Sequence, residues 1–495
     1  MYNLGYDIGS STVKIALVDA KTNHEIDVLT HPKEEMPIYA AQSGWAEQDP
    51  ELWWTHLCEG TKKILFENKI QSKEILAIGI SYQMHGLVLV NQAKKAIRKS
   101  IIWCDSRAVE IGNDAAQEIG EKKYGTHLLN APGNFTASKL KWVKENEPEL
   151  FAQVSHFMLP GDFIALKLTG EVTTTINGLS EGMLWDYKEK KVADWLLTHY
   201  GIDPLLTPPL VENFENQGTV TKNASLKTGL PSGIPIRYRA GDQPNNAMTL
   251  NVLKPGEVAA TGGTSGVLFA VTDRKTSKEY HRVNHFAHVN YTKERPVLGT
   301  LLCINGAGIL YSWIKKLTQA STFHEMNMWA SSIAIGSEGH INLPFGNGVE
   351  RMLYNKTPGA LLSNLNLNVH TRGHICRAAL EGIAFSFAYG MEIMQQDALT
   401  LDVVRAGNDN LFRSDIFSQT VATLIGKPIE IYNTTGAIGA ARAAGIENKS
   451  INDYSQSVAS MDFMSEVLPI KDKQAYIEAY HKWKQELTRA LNNLI

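Results

Sequence analysis

The chain is 495 residues long, room for two or three domains and a large buried core, which excludes a small disulfide-stapled scaffold. Apolar residues make up 43% and charged residues 20%, ordinary globular usage that excludes a disordered or fibrous chain. With 48 basic and 51 acidic residues the net charge is −3, so the basic footprint of a nucleic-acid binder is missing and a small-molecule partner is expected.

In chain order, an apolar run to Ile8, a Gly9-Ser10-Ser11-Thr12 turn and an alternating segment from Val13 predict a hairpin. Asp49-Pro50 supplies an N-cap and a first-turn proline for an amphipathic helix to about Phe66, and Ile75 to Ser81 reads as a buried strand. Strands and helices continue to alternate, which favours an α/β fold. After the Lys254-Pro255-Gly256 break, a strand from Val258, a Gly262-to-Gly266 turn and a strand from Val267 to Val271 repeat the opening arrangement half a chain later. This predicts two related domains, residues 1–250 and 251–495. Thr371 to about Met394 reads as a long buried helix whose Gly382 and Gly390 imply close packing. Leu411 to Ile425 reads as a further helix, Thr435-Gly436-Ala437 opens a short one, and Ala475 to Leu494 is amphipathic.

Cys58, Cys104, Cys303 and Cys376 form no CxxC pair, so buried thiols in a reducing compartment are expected. Asp7 interrupts the first apolar stretch and no long uncharged run follows, so we expect neither a signal peptide nor a membrane span, and a cytoplasmic location.

Neither GxxxxGK[ST] nor a GxGxxG between strand and helix is present, which disfavours a P-loop or dinucleotide fold. The two glycine-hydroxyl turns offer backbone N–H groups and hydroxyls to phosphate oxygens, and Lys14 adds a charge beside the first. Asp7 needs a partner, either turn N–H groups or a magnesium ion at the phosphates. Asp242, at the end of the strand-like IPIRYRAG segment, suits a base that accepts a hydroxyl proton during phosphoryl transfer. Gln83, Met84 and His85 sit where a strand ends, and Trp103, Asp105 and Arg107 combine an aromatic platform with polar groups, as sugar sites do. Core packing of Trp103 and a surface Asp105–Arg107 pair remain open alternatives.

Taken together, DIGSSTVK, GWAEQDPELWW, YQMHG, IIWCDSR, LPGDFIALKLTGE, AGDQ, TGGTSG, RAALEGIAFSFAYGME and the Ile438-to-Ala441 run resemble the FGGY family of carbohydrate kinases over nearly the whole chain. The resemblance, closest to the xylulose-phosphorylating branch, implies two actin-like (ribonuclease H-like) domains with an ATP and sugar cleft between them. It implies Asp242 as catalytic base, with Gln243, Met84, His85, Trp103 and Asp105 at the substrate. Asp7 would support Mg2+, while Ser10, Ser11, Thr12 and Lys14 match the first phosphate turn and Gly263, Thr264 and Ser265 the second. Departures occur at Arg405 to Asn410, where Gly407, Asn408 and Asn410 are the adenine candidates, at Gly348-Val349-Glu350-Arg351-Met352, and after Asp242. The expected activity is ATP-dependent phosphorylation of a ketopentose such as D-xylulose. Another sugar or polyol (ribulose, L-xylulose, gluconate, glycerol), a non-catalytic actin-like binding protein and a silent sugar sensor are the alternatives, and a homodimer is left open.

Overall fold

Apolar residues flanking the Gly9 turn build β1 (Tyr2–Ile8) and β2 (Val13–Asp19), an antiparallel hairpin in which Asp7 lies opposite Lys14. The computed structural model describes residues 1–397, 399–446 and 451–494. β3 (Glu25–His31) adds antiparallel to β2, while β4 (Ile75–Tyr82) and β5 (Ile236–Gly241) add in parallel on the other side, giving the order β5-β4-β1-β2-β3. The near-continuous apolar run of β4 follows from its central parallel position, covered on both faces.

A second sheet repeats this plan. β6 (Glu257–Gly262) and β7 (Gly266–Thr272) form its hairpin and β8 (Leu298–Ile304) the outer antiparallel strand. β9 (Val403–Gly407) and β10 (Ile429–Tyr432) are the parallel additions, so the order β10-β9-β6-β7-β8 matches the first sheet strand for strand. Asn284–Ala287 and Phe463–Val467 extend its edges.

The helices follow their local signals. Asp49 caps the Pro50–Glu67 helix by accepting from the Glu51 N–H at 3.0 Å. In the Arg372–Gln396 helix, a Cβ on Gly382 would collide with the Asn342 carbonyl and one on Gly390 would approach Leu302 to 2.9 Å, the close packing expected. The next helix begins later than Leu411. It spans Asp415–Ile425, because the Ser414 side chain accepts from Phe417 N–H and caps it there, leaving Asn410–Arg413 as a separate 3-10 turn. All four cysteines are free, but only Cys58 and Cys376 are buried; Cys104 is exposed on the loop beside Trp103.

The short Gly436–Ala444 helix belongs by sequence to the second half yet lies across the first sheet. Gly5 of β1 and Gly79 of β4 leave no room for a Cβ against the carbonyls of Ala437 and Ala440, and Gly439 sits equally tight against Thr249 of the Asp242–Thr249 helix. Ala16, Val18, Ala437, Ile438 and Ala441 form the apolar seam between them. Among the described residues, no helix is long and apolar enough to cross a membrane.

Candidate active site

The carboxyl ends of β4 and β5 and the β1–β2 turn converge at one end of the first sheet, where strand ends release polar side chains from the packed interior. Asp242 is the first residue of the Asp242–Thr249 helix, immediately after β5. Burial, followed by the neighbouring Asp7 carboxylate, pushes its carboxyl up to about 7, against hydrogen bonds from the backbone and side chain of Gln243. A carboxylate half-protonated at neutral pH is matched to accepting a hydroxyl proton. Gln243, expected at the substrate, thus also orients this carboxyl group.

Asp7 accepts from the Ser81 hydroxyl through Oδ1 at 3.0 Å, while Oδ2 faces Gly436, where a Cβ would come within 3.0 Å. Asn245 fixes that same corner by donating to the Gly436 carbonyl at 2.9 Å. The charge of Asp7 is felt at Asp242, and two such carboxylates at one cleft floor are a donor set suited to a hard divalent cation such as Mg2+.

Ser10, Ser11 and Thr12 are half-buried in the first turn, closed by a Gly9 N–H to Thr12 carbonyl bond of 3.0 Å, and Lys14 is exposed beyond it. In the second turn, the carbonyls of Gly263 and Thr264 are held by Gly308 and Ile309 N–H groups, each at 3.0 Å, at the start of the Ala307–Leu317 helix. Ser265 completes this turn before β7. Beside it opens a cavity of about 730 Å³, lined by Gly263, Thr264, Tyr311, Asn327, Asn410 and Ser414 among others. Tyr311 and Phe323 stack 5.5 Å apart, giving the wall a flat aromatic face suited to a purine. Gly407 and Asn408 do not line this cavity, a departure from the adenine contacts expected; Gly407 ends β9 and Asn408 N–H is bonded to Tyr432 O, so Asn410 alone of the three reaches it.

Met84 and His85 follow β4 one residue after its end, beyond Gln83. Met84 is buried against Gly241, and His85 adopts a left-handed backbone, φ 61°. His85 Nδ1 lies 2.9 Å from the Glu181 carbonyl, which can only accept, so Nδ1 carries the proton and Nε2 is left as an acceptor. Burial between Phe135 and Phe286, with Lys139 nearby, lowers its pKa to about 3, so the ring stays neutral. Lys139 was not anticipated. It is fully buried, pushed down to about 8 by desolvation, and donates to the carbonyls of His85 at 2.9 Å and Ile102 at 3.0 Å, tying together the segments that carry His85 and Trp103.

Trp103 is 53% exposed, so it is not packed in the core. Asp105 is neither a surface pair nor a free ligand. Its wholly buried carboxylate is consumed by Arg107, at 2.7 Å, and by the Ala46 N–H at 2.6 Å, while Arg107 stacks 3.8 Å over Trp45. Both carboxylate oxygens are thereby engaged, Oδ1 also by the Arg107 main-chain N–H at 2.9 Å. Glu350 turns inward onto Asn305 N–H and is raised to about 7 by burial, and Arg351 donates to Tyr280 O at 2.7 Å.

Two sheets of one plan, each opened by a hairpin with a glycine-hydroxyl turn, are the architecture of the actin-like ATPase fold. Family models agree. That for the N-terminal domain of the FGGY family of carbohydrate kinases matches residues 2–249 and that for the C-terminal domain residues 258–447, so the chain belongs to this family and is a carbohydrate kinase. It is 29% identical to xylulose kinase of Bacillus subtilis (strain 168), covering 90% of this chain and 87% of that one, and 27% identical to xylulose kinase of Escherichia coli (strain K12), covering 99% of both. The crystal structure of xylulose kinase from Rhodospirillum rubrum shares its fold with a TM-score of 0.88 at 22% identity, over 99% of both chains. Other sugar and polyol kinases are similar too: glycerol kinase of Thermococcus gammatolerans is 26% identical, with 99% of this chain and 98% of that one covered, and gluconate kinase from Lactobacillus acidophilus superposes with a TM-score of 0.89 at 20% identity, covering 99% and 98%.

Proposed function

We propose that this kinase transfers the γ-phosphoryl group of ATP to the terminal hydroxyl of a ketopentose, converting D-xylulose to D-xylulose 5-phosphate. The observation that carries the reading is Asp242, raised to about 7, at the end of β5 beside the Met84–His85 corner and Asp7. The names of the curated relatives support the choice of sugar.

In this reading the sugar lies among Met84, His85, Trp103 and Gln243, with the neutral His85 Nε2 accepting from a hydroxyl. Asp242 takes the proton of the reacting hydroxyl as its oxygen bonds to the γ-phosphorus and the bond to the β–γ bridging oxygen breaks, releasing ADP. Ser10, Ser11, Thr12 and Lys14 hold phosphate oxygens from one side and Gly263, Thr264 and Ser265 from the other; adenine occupies the Tyr311–Phe323 cavity next to Asn410. Asp7 is the residue that would hold Mg2+, which when bound supplies charge neutralisation to the phosphates. Residues 1–250 act as the sugar domain and 251–495 as the nucleotide domain.

ADP release measured across D-xylulose, D-ribulose, L-xylulose, gluconate and glycerol tests the proposal. Release fastest with D-xylulose supports it and a different preferred acceptor replaces the substrate. Release independent of any acceptor favours an actin-like nucleotide-driven protein, and sugar binding without release favours a sensor.

A further inference from the structure

Glu181 ends the short Ile176–Glu181 helix and is 1% exposed. Its position joins the two halves of the acceptor site. Through its main-chain carbonyl it holds His85, and through its carboxyl it lies against the residue before the base: a Cβ on Gly241 would sit 2.8 Å from Glu181 Oε2 and 2.6 Å from Met84 Cγ. Among the described residues neither carboxyl oxygen receives a hydrogen bond, and the Tyr82 hydroxyl beside it is equally without a partner.

Among the described residues no cation forms an ion pair with it, and Lys139 meets its charge only at longer range. Arg239, itself fully buried, pairs with Asp162 at 3.2 Å, and Lys139 spends its ammonium on the carbonyls of His85 and Ile102. His85 is neutral, and the remaining neighbours, Asp242 and Asp162, are acids. A buried carboxylate without a paired cation is costly, whereas the protonated acid costs far less and gains a donor. Burial and these two acids hold Glu181 well above the usual carboxylate range.

We propose that Glu181 is a neutral carboxylic acid and a positioning residue of phosphoryl transfer, bracing the Gly241–Asp242 corner with its side chain and His85 with its main chain, so that base and acceptor site share one support. This rests on Asp242 as the base. Glutamine is the isostere of the protonated acid; leucine fills similar space without a polar atom.

The test measures kcat, both KM values and the pH profile of kcat/KM for Glu181→Gln and Glu181→Leu, with Asp242→Asn alongside. Glu181→Gln is expected within about twofold of the parent, with the midpoint of the acid limb unmoved, and Glu181→Leu to lose about tenfold or more in kcat while ATP KM changes little. An acid limb moved down by one pH or more in Glu181→Gln would show that an ionised Glu181 had been raising Asp242 and would overturn the proposal, as would parental kinetics in Glu181→Leu. If Glu181→Leu does not fold, infrared spectra of the Asp242→Asn protein at about pH 8.5 decide: a protonated-carboxyl stretch that vanishes on adding Glu181→Gln is expected, and its absence overturns the assignment. Turnover surviving in Asp242→Asn removes the base reading itself, while loss there with parental Glu181→Leu removes only the role of Glu181.

Discussion

Replacing Asp242 by asparagine should abolish sugar phosphorylation and at the same time stabilise the protein in alkaline buffer. The carboxyl is raised from 3.8 to about 7, chiefly by burial and then by Asp7. At about 1.4 kcal/mol per tenfold, ionising it costs the folded protein about 4 kcal/mol more than the unfolded chain. Because the folded value is the higher one, stability is complete below the unfolded value near 3.8 and is lost as pH rises through 7. Asparagine keeps the shape and carries no charge at any pH, so Asp242→Asn escapes the penalty. With an unfolding entropy of about 2.1 cal/mol/K per residue, a gain of about 4 kcal/mol raises Tm by about 4 °C at pH 8, shrinking to less than half that by pH 5. Thermal melts in half-pH steps, run beside an ADP-release assay, measure both effects. A Tm that is unchanged or lower at pH 8, or a gain equally large at pH 5, refutes the reasoning from burial and charge; near-parental turnover refutes the assignment of the base.

The same carboxyl predicts a kcat/KM that rises with pH to a plateau above 7 and lies about tenfold below it at pH 6, read from initial rates in a constant-ionic-strength buffer series. Lys139→Met strands the carbonyls of His85 and Ile102 in the interior, so urea unfolding should show a loss of about 2–4 kcal/mol and sugar KM should rise at least about tenfold while ATP KM holds. Trp103→Ala, at an exposed rim, should raise sugar KM several-fold with no change in Tm, and an altered Tm would place the ring in the core instead. Gly79→Val drives a side chain into the Ala440 carbonyl and should cost at least about 3 kcal/mol, visible as lost soluble yield or a lowered urea midpoint.

The hairpins, the capped Pro50–Glu67 helix and the glycines of the Arg372–Gln396 helix were legible because each is written in local spacing: apolar alternation, an Asp-Pro start, a small residue where backbones meet. The two phosphate-type turns and the carboxylate after β5 were legible for the same reason, since their residues are neighbours in the chain. The late start of the Asp415–Ile425 helix was available in Ser414-Asp415, a cap signal that continuous apolar periodicity from Leu411 concealed. For Asp105, sequence shows a carboxylate near an arginine but not the depth at which the pair lies. Lys139 and Glu181 carried no local signal. Their significance comes from carbonyls and a glycine more than thirty residues away, contacts that only the assembled fold creates.

The Gly436–Ala444 helix has a consequence for how the protein is made. The apolar seam of the first sheet, with Ala16 and Val18, is finished only when a segment more than four hundred residues downstream has left the ribosome. Until then the N-terminal half carries a wet, apolar sheet face, the kind of surface on which nascent chains aggregate and chaperones act. A fragment cut near residue 250 would keep that face permanently open, so the two repeated halves of this kinase are not separable parts, and the first completes its folding on the second.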